Sequence, residues 1–248
     1  MTIELNNIYN MDCLEGMKAI PDGSVDAIIC DLPYGTTACA WDTVIPFDKL
    51  WEQYKRIIKP QGAIVLFGSE PFSTYLRMSN IDWFKYDWIW EKAEGANFQL
   101  VKYQPLKVHE IISVFSKGAH IYNPQGLKKA TIVKSNKGKG GRLGHVASEE
   151  LRGGYIQEWT NYPRSIQNFD YDSHRFHPTQ KPVDLLRYLV KTYTNEGDTI
   201  LDNCMGSGTT AIACIKENRN FIGFELNKEY YEKACKRVQA EQQQLKLF

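Results

Sequence analysis

The chain has 248 residues, of which 43% are hydrophobic and 24% charged, and its formal net charge is +1. This length suits a globular α/β domain with an insertion, and no run approaches the roughly eighteen apolar residues that span a bilayer. The first residues lack the basic start and apolar core of a signal peptide. The six cysteines show neither a CxxC pair nor zinc-type spacing, so we expect a reduced, cytoplasmic protein without a metal or a membrane partner.

Strand-like and helix-like patterns alternate in the first half of the chain. Apolar, β-branched and aromatic runs predict strands at 24–30, 63–68, 86–92 and 110–117. Amphipathic spacing, or proline at the first turn, predicts helices at 47–59 and 71–79.

The same alternation returns towards the C-terminus. Helices are predicted at 183–194, 208–218 and 228–246, and strands at 198–204 and 221–226. Hydrophobic strands that alternate with helices are typical of an α/β protein with a doubly wound, mostly parallel sheet.

Residues 117–176 interrupt this alternation. The stretch is first glycine-rich and basic, then aromatic and polar without a clear period, which predicts a loop-rich insertion. No acidic residue occurs from Ile111 to Ser148, so basic charge is concentrated there while the rest of the chain is net acidic. The basic residues of this segment are Lys117, Lys128, Lys129, Lys134, Lys137, Lys139 and Arg142.

A glycine-rich turn, "CMGSGTT", joins a predicted strand to a predicted helix. Gly206 and Gly208 let the backbone approach a ligand, and the helix start directs N–H groups towards it. A phosphate-binding P-loop would need lysine where Thr209 stands. The spacing is compatible with a nucleotide-type cofactor, whose ribose Glu225 would bind from the end of the next strand. A plain strand–turn–helix junction is the alternative.

A second motif, "DLPYG" at 31–35, directly follows the predicted strand at 24–30. Ligands of open α/β sheets gather at the carboxyl ends of strands, so an acid, a proline and an aromatic ring there indicate a site. The pairing of "DLPYG" with "LDNCMGSGTT", separated by the basic insertion and "HPTQKP", resembles the beta class of amino-methylating DNA methyltransferases. The likeness covers most of the chain outside the insertion, and Leu32 and Cys204 replace the usual proline and phenylalanine.

The resemblance implies an S-adenosylmethionine-dependent methyltransferase fold and methyl transfer to an exocyclic amino group of DNA. The Asp31 carboxylate and the Leu32 carbonyl are expected to accept the two N–H groups of that amino group, which favours its attack on the methyl group. Pro33 stiffens the turn, and Tyr34 stacks on a base extruded from the duplex. The alternative for Tyr34 is a core aromatic residue at a strand end.

The resemblance also implies a set of cofactor-binding residues. The glycine loop is expected to hold the methionine carboxylate at the helix N-terminus. Asp12 is expected near the adenine of the cofactor, with helix capping as the alternative, and capping by Pro182 competes with a cofactor role for "HPTQKP". The expected cofactor-binding residues are Asp12, Asp31, Lys181, Asp202, Gly206, Ser207, Gly208, Thr209, Thr210 and Glu225.

Three parts of the chain follow from the same resemblance: a catalytic half at 1–116, an inserted target-recognition region at 117–176 and a cofactor-binding half at 177–248. The expected partner is double-stranded DNA, and a homodimer and a companion restriction endonuclease are left open. The residues expected to neutralise DNA phosphates are Lys128, Lys129, Lys134, Lys137, Lys139 and Arg142. A solvated loop is the alternative for this segment.

The acidic first residue of "DLPY" favours N6 of adenine as the target, because the cytosine-N4 enzymes more often begin this motif with serine. A cytosine-N4 DNA methyltransferase is therefore the nearest alternative. An RNA or protein amide methyltransferase usually places the glycine loop first in the chain, which this sequence does not. A non-catalytic DNA-binding partner is a further alternative, and the intact Asp31, Pro33 and Tyr34 argue against it.

Overall fold

The computed structural model describes residues 2–35, 42–134, 155–173 and 180–245. The chain divides into two compact units, one formed by Met1–Asn123 with Ser165–Phe248 and the other by Pro124–Arg164. Within the described ranges, no helix combines the length and hydropathy needed to cross a membrane.

Ten strands, six α-helices and one short 3-10 helix (Phe98–Leu100) account for the regular structure of these ranges. The strands are β1 (Asn7–Tyr9), β2 (Val25–Cys30), β3 (Ile58–Gly68), β4 (Phe84–Ala96), β5 (Lys107–Phe115), β6 (Lys128–Lys134), β7 (Tyr155–Thr160), β8 (Ile166–Asn168), β9 (Thr199–Asp202) and β10 (Asn220–Phe224). The helices are α1 (Cys13–Met17), α2 (Phe47–Ile57), α3 (Phe72–Ser79), α4 (Val183–Tyr193), α5 (Thr209–Lys216) and α6 (Lys228–Leu245).

Eight strands form the main sheet, in the order β1-β10-β9-β2-β3-β5-β4-β8. Neighbouring strands from β1 to β3 are parallel, whereas β5 is antiparallel to both β3 and β4. The expectation of a mostly parallel sheet is confirmed. Because β2 and β9 are adjacent and parallel, with Ala27 opposite Ile200, the two motifs that follow these strands emerge at the same edge of the sheet.

Helices cover both faces of this sheet, as expected for a doubly wound fold. Side chains of a strand alternate between the two faces, so Ala27 and Ile29 of β2 join a core with α4 and α5. Ile28 joins a second core with α2, whose buried residues recur at helical spacing from Leu50 to Ile57. The sheet is therefore buried on both sides where the parallel strands lie.

Several elements were not predicted from the sequence. β1 and β8 have only three residues each, which is too short for a recognisable period. β8 pairs with β4 in the main sheet, so residues 166–168 lie in the larger unit although the insertion was predicted to extend to 176. Strands β6 and β7 lie in the predicted insertion as well, so that part of the chain is less irregular than its composition indicated.

The smaller unit is built on β6 and β7, which pair in antiparallel register. Lys128 lies opposite Thr160, and the Thr160 hydroxyl donates to the Lys128 carbonyl at 3.3 Å. Asn161 adopts a left-handed conformation and donates from its side chain to the Gly126 carbonyl at 2.6 Å. Both hydrogen bonds lie at the end of the strand pair where β6 begins and β7 ends.

Candidate active site

The "DLPYG" motif begins directly after β2, whose six residues are all buried. The backbone turns away from the sheet at Gly35, which has a φ of 67°. A side chain at this position would strain the backbone, and its Cβ would come within 2.8 Å of Val44 Cγ2. The Gly35 amide donates to the Asp42 carboxylate at 2.8 Å, which secures the exit of the turn.

The Asp31 carboxylate is held by two side chains. The Tyr34 hydroxyl donates to Asp31 Oδ1 at 2.6 Å, and Lys181 Nζ forms an ion pair with Oδ2. The Tyr34 ring packs against Phe72, with 5.0 Å between the ring centroids. The side chain of Asp31 keeps 25% of its surface exposed, whereas that of Lys181 keeps 8%. The carboxylate is thus fixed in orientation and still reachable from solvent.

A row of four alternating charges, which we call the charge row, leads from Asp31 across the sheet through Lys181 and Glu110 to Lys92. Lys181 Nζ lies 3.3 Å from Glu110 Oε2, and Lys92 pairs with the other oxygen of Glu110. The two ammonium groups also lie over aromatic rings, Lys181 over Phe67 at 5.2 Å and Lys92 over Trp90 at 5.2 Å. Charged groups with this little exposure to solvent are stable only when they are paired with opposite charges. The two carboxylates and two ammonium groups of the charge row are paired in this way, and their formal charges sum to zero.

The charge row sets the protonation of its members. Burial raises the pKa of Asp31, and the nearby positive charge of Lys181 opposes that shift without cancelling it. Burial acts to lower the pKa of Lys181, but the Asp31 and Glu110 carboxylates outweigh it and raise this pKa. Burial and the Asp31 charge raise the pKa of the Tyr34 phenol, so Tyr34 stays a hydrogen-bond donor. Lys181 is therefore protonated at neutral pH.

The glycine loop follows β9 and starts α5. Asp202 is buried and accepts from the Cys204 amide at 3.1 Å and from the Thr210 hydroxyl at 2.6 Å. Its carboxylate thereby ties the two ends of the loop together. Burial raises the pKa of Asp202 to about 6. Gly206 and Gly208 have φ values of 53° and 78°, and both conformations favour glycine.

α6 supports the same loop from the other side. Arg237 Nη1 donates to the Ser207 carbonyl at 3.1 Å and to Thr209 Oγ1 at 3.0 Å. The Ser207 and Thr209 hydroxyls lie 2.9 Å apart. Side chains of α6 and β9 thus hold the loop in its conformation. The N-cap residue of α5 is Gly208, so no side chain caps the N-terminus of this helix.

Glu225 follows β10 beside this loop. One carboxylate oxygen accepts from the Gly206 amide at 2.8 Å and the other from the Asn227 amide at 2.8 Å. Burial raises the pKa of Glu225 above its ordinary value. The expected ribose ligand and the expected methionine-binding loop are therefore in direct contact.

The family model of the N6/N4 DNA methylases, described as "DNA methylase", matches residues 25–236. The chain belongs to this family. It is 28% identical over 262 aligned positions to the type II methyltransferase M1.MboII of Moraxella bovis, covering 94% of this chain and 96% of the relative. The M1.HpyAVI–SAM complex is 26% identical, with a TM-score of 0.63, over 93% of this chain and 98% of that one.

A third comparison concerns the fold alone. The cytosine-N4-specific PvuII DNA methyltransferase has a TM-score of 0.68 with this methylase at 16% identity, covering 95% of this chain and 87% of that chain. The methylase is accordingly an S-adenosylmethionine-dependent DNA methyltransferase with the doubly wound fold of its relatives.

The residues of the methylase fit this cofactor. The paired positive-φ glycines and the uncapped α5 N-terminus suit a carboxylate. A Cβ atom added at Gly206 would be in ordinary van der Waals contact with the Cys204 carbonyl, at 3.8 Å, and would be strained by the positive φ. Glu225 contacts the same loop and supplies two acceptor oxygens, which suits a ribose.

Three predicted site residues make structural contacts that the sequence analysis did not assign to them or gave only as an alternative. Asp12 caps α1, accepting from the Leu14 amide at 2.8 Å and the Glu15 amide at 3.2 Å. Lys181 was expected over the cofactor, and the structure places its ammonium group between Asp31 and Glu110. The Leu32 side chain is buried in the core on the α2 face of the sheet, next to the partly buried Pro33.

The predicted DNA-binding residues of the methylase fall into two groups. Lys128 and Lys129 are exposed on β6, and Lys134 ends the same strand. Lys137, Lys139 and Arg142 lie outside the described residues. Contact of these six with DNA remains a prediction.

Sequence reasoning missed Glu110, Lys92 and Arg237. One signal was available for Glu110, because it is the only acid between Glu94 and Glu149 in an otherwise basic part of the sequence. No comparable signal marks Lys92 or Arg237. β4 carries one other lysine and α6 carries three, and only the pairing of β4 with β5 or the packing of α6 distinguishes Lys92 and Arg237 from them.

Proposed function

We propose that this methylase transfers the methyl group of S-adenosylmethionine to N6 of an adenine extruded from double-stranded DNA. The observation that carries the proposal is the placement of the Asp31 carboxylate. It follows β2, beside the neighbouring strand β9 that leads into the glycine loop. An acceptor group for the target base thus stands next to the loop proposed to hold the cofactor.

The amino group of adenine is a weak nucleophile because its lone pair is delocalised into the ring. The Asp31 carboxylate and the Leu32 carbonyl would accept its two hydrogens and favour the pyramidal nitrogen that attacks. Fixed acceptors of this kind stabilise the transition state without reorganising during the reaction. Because burial raises the pKa of Asp31, its carboxylate is a better acceptor for the released proton than an ordinary aspartate.

Tyr34 and Lys181 prepare this carboxylate. In the structure they occupy one oxygen each, so the incoming amino group takes over the oxygen that Tyr34 now binds. The Tyr34 ring, packed on Phe72, is then held as a platform on which the extruded base stacks. Lys181 keeps the other oxygen and fixes the plane of the carboxylate.

When bound, S-adenosylmethionine supplies the electrophilic methyl group. Gly206 to Thr210 would hold its methionine carboxylate, and Glu225 would bind its ribose hydroxyls. Burial raises the pKa of Glu225, and the hydrogen bonds from the Gly206 and Asn227 amides oppose that shift because they favour the ionised carboxylate.

Adenine is preferred over cytosine on the acidic first residue of "DLPY". A cytosine-N4 activity is the second candidate, because the likeness to the PvuII enzyme shows that the same fold also carries that specificity. Asp31 and Leu32 would grip either amino group in the same way.

The test is methylation of mixed genomic DNA by the purified protein, followed by mass analysis of the nucleosides. The wild type should produce N6-methyladenine, and Asp31→Ala should lower the rate on the order of 100-fold or more. Calorimetric titration should show S-adenosylmethionine bound by both proteins. N4-methylcytosine as the product would establish the second candidate. Intact cofactor binding without any methylation would identify a non-catalytic DNA-binding protein.

We also propose that the methylase works in the cytoplasm as part of a restriction–modification pair. Similarity to the type II methyltransferase M1.MboII supports a companion endonuclease. A homodimer is the proposed assembly, and sedimentation of the protein with and without a duplex would measure it.

A further inference from the structure

The connection between β4 and β5 exposes several large apolar side chains. We call residues 97–106 the hairpin loop. Phe98 is 76% exposed and Tyr103 is 86% exposed, and the loop carries three more exposed apolar residues, Leu100, Val101 and Leu106. A contiguous apolar segment of this kind on a soluble protein usually marks a binding surface.

The composition of the segment indicates what binds there. From 95 to 109 there is no acidic residue, while Lys102 and Lys107 are basic and Asn97, Gln99 and Gln104 carry amides. The next acid along the chain, Glu110, is enclosed by Lys92 and Lys181. A loop with exposed rings, amides and lysines, whose preceding exposed acid along the chain is Glu94 on β4, suits a polyanion that has flat apolar faces, which describes DNA.

The hairpin loop stands at the catalytic edge of the sheet. Its ends are joined by the pairing of Ala96 with Lys107. Lys107 Nζ contacts the hydroxyl of Ser69, which directly follows β3. Three residues beyond Lys107, Glu110 reaches Lys181 and through it Asp31. The hairpin loop therefore leaves the sheet at the same edge as Asp31, the edge that a duplex delivering a base to Asp31 would approach.

We propose that the hairpin loop contacts the duplex beside the extruded base, and that Phe98 and Tyr103 stack on the base faces which extrusion exposes. When the target base leaves the duplex, it and its neighbouring bases lose their stacking contacts with each other. Aromatic rings that stack on the exposed base faces replace part of this loss and make extrusion less unfavourable. The inference rests on the proposed function, since it assumes that this methylase extrudes a base. It adds a DNA contact within 97–106, outside the predicted insertion.

The experiment compares Phe98→Ala/Tyr103→Ala with wild type on two duplexes. Both contain a sequence that wild type methylates, and the target is either paired or placed opposite an abasic site. The double variant should methylate the paired duplex on the order of 10-fold to 100-fold more slowly. Much of the loss should disappear on the second duplex, because an unpaired base is extruded at lower cost.

Three controls accompany the variant. Met78→Ala removes an exposed apolar side chain from the last turn of α3, away from the hairpin loop, and should behave as wild type. Phe98→Trp/Tyr103→Trp keeps the rings and should retain activity. Calorimetric titration with S-adenosylmethionine should give the same affinity for all variants, which shows that they are folded.

Four outcomes would contradict the proposal or its basis. Unchanged methylation of the paired duplex by the alanine variant would remove the hairpin loop from DNA binding. An equal loss on both duplexes would contradict stacking in the extrusion gap. Loss of a dimer by sedimentation, with methylation unchanged, would show that a second copy covers the loop. A wild type that methylates no DNA would instead overturn the proposed function.

Discussion

At the scale of single residues, the ionisation of Asp31 depends on Lys181 and Glu110. Lys181 lowers the pKa of Asp31, and the negative charge of Glu110 raises it. Glu110 touches Lys181, and the Asp31 carboxylate lies on the other side of that ammonium group. Neutralising Glu110 and neutralising Lys181 should therefore shift the pKa of Asp31 in opposite directions.

We expect Glu110→Gln to shift the acid limb of the pH–rate profile to lower pH, because loss of the negative charge lowers the pKa of Asp31. Lys181→Gln should shift this limb to higher pH, because the stabilising positive charge is lost. The measurement is kcat/KM for DNA at saturating S-adenosylmethionine from acidic to neutral pH. Lys85→Gln, an exposed lysine on β4, is the control and should leave the profile unchanged. Shifts in the same direction would contradict the proposed role of Asp31.

Asp202 provides a residue-scale prediction about stability. Its folded-state pKa of about 6 lies above the unfolded value of about 3.9, so the folded protein holds a proton that the unfolded chain releases between these values. The contribution of Asp202 to the free energy of unfolding should therefore fall by about 3 kcal/mol as the pH rises through this window. Urea unfolding of wild type and Asp202→Asn at several pH values measures it. Parallel pH profiles for the two proteins would contradict the prediction.

At the scale of elements, the glycine loop takes its shape from α6 as well as from β9. Arg237 reaches the loop through a backbone carbonyl and a hydroxyl, so the position of α6 governs the cofactor site although this helix contributes no predicted ligand. The loop is thereby held in place before the cofactor binds, which lowers the entropy lost on binding.

We expect Arg237→Ala to weaken S-adenosylmethionine binding about tenfold. Hydrogen bonds from a charged donor contribute about 1.5–3 kcal/mol, and part of that stabilisation orders the loop. Calorimetric titration measures the affinity, and Lys236→Ala, an exposed neighbour on the same helix, is the matched control. An affinity equal to that of wild type would show that Asp202 and Glu225 hold the loop without Arg237.

The elements that the sequence predicted are those with strong local patterns. β2 is apolar except for Asp26, residues 63–68 of β3 form an apolar run, and α2 has regular amphipathic spacing, so these elements were recognised from the local pattern. The start of β3 was missed, because Ile58 and Lys59 were assigned to the helix and residues 60–62 to its end. The motif at 31–35 and the glycine loop were also recognised, because each is contiguous. The contact of Glu110 with Lys181 was not, since it depends on the antiparallel return of β5 beside β3, which local sequence does not encode.

At the scale of the whole molecule, exposed acidic charge is absent from the part of the sequence that DNA is proposed to meet. Between Glu94 and Glu149 the single acid is Glu110, and it is enclosed by two lysines. The net charge of +1 conceals this division, because acidic residues elsewhere balance the basic segment. Association with DNA should accordingly depend strongly on salt.

We expect replacement of Lys134, Lys137, Lys139 and Arg142 by glutamine to weaken binding to all sequences alike. Each phosphate contact that is lost removes about 0.9 from the slope of log affinity against log salt, up to about 3.6 for four contacts. Fluorescence anisotropy over a salt series measures the slope, and cofactor affinity should be unchanged. The control exchanges four exposed lysines elsewhere, Lys18, Lys49, Lys85 and Lys236. Equal slopes for the two variants would identify the segment as a solvated loop.

The pairing of β1 with β10 has a consequence for synthesis on the ribosome. The Glu225 amide donates to the Tyr9 carbonyl at 3.0 Å, and the Asn10 side chain donates to the carbonyls of Glu225 and Leu226 at 2.8 and 3.0 Å. β1 is synthesised early and β10 late, so the hydrogen bonds that hold Glu225 in place can form only after β10 has been synthesised. A nascent chain, or a fragment released before β10, already carries Asp31 and the basic segment but lacks the completed pocket beside Glu225. Such a chain also lacks Phe221 and Phe224, which are buried in the two cores, so the site beside Glu225 can be completed only after β10 has been made.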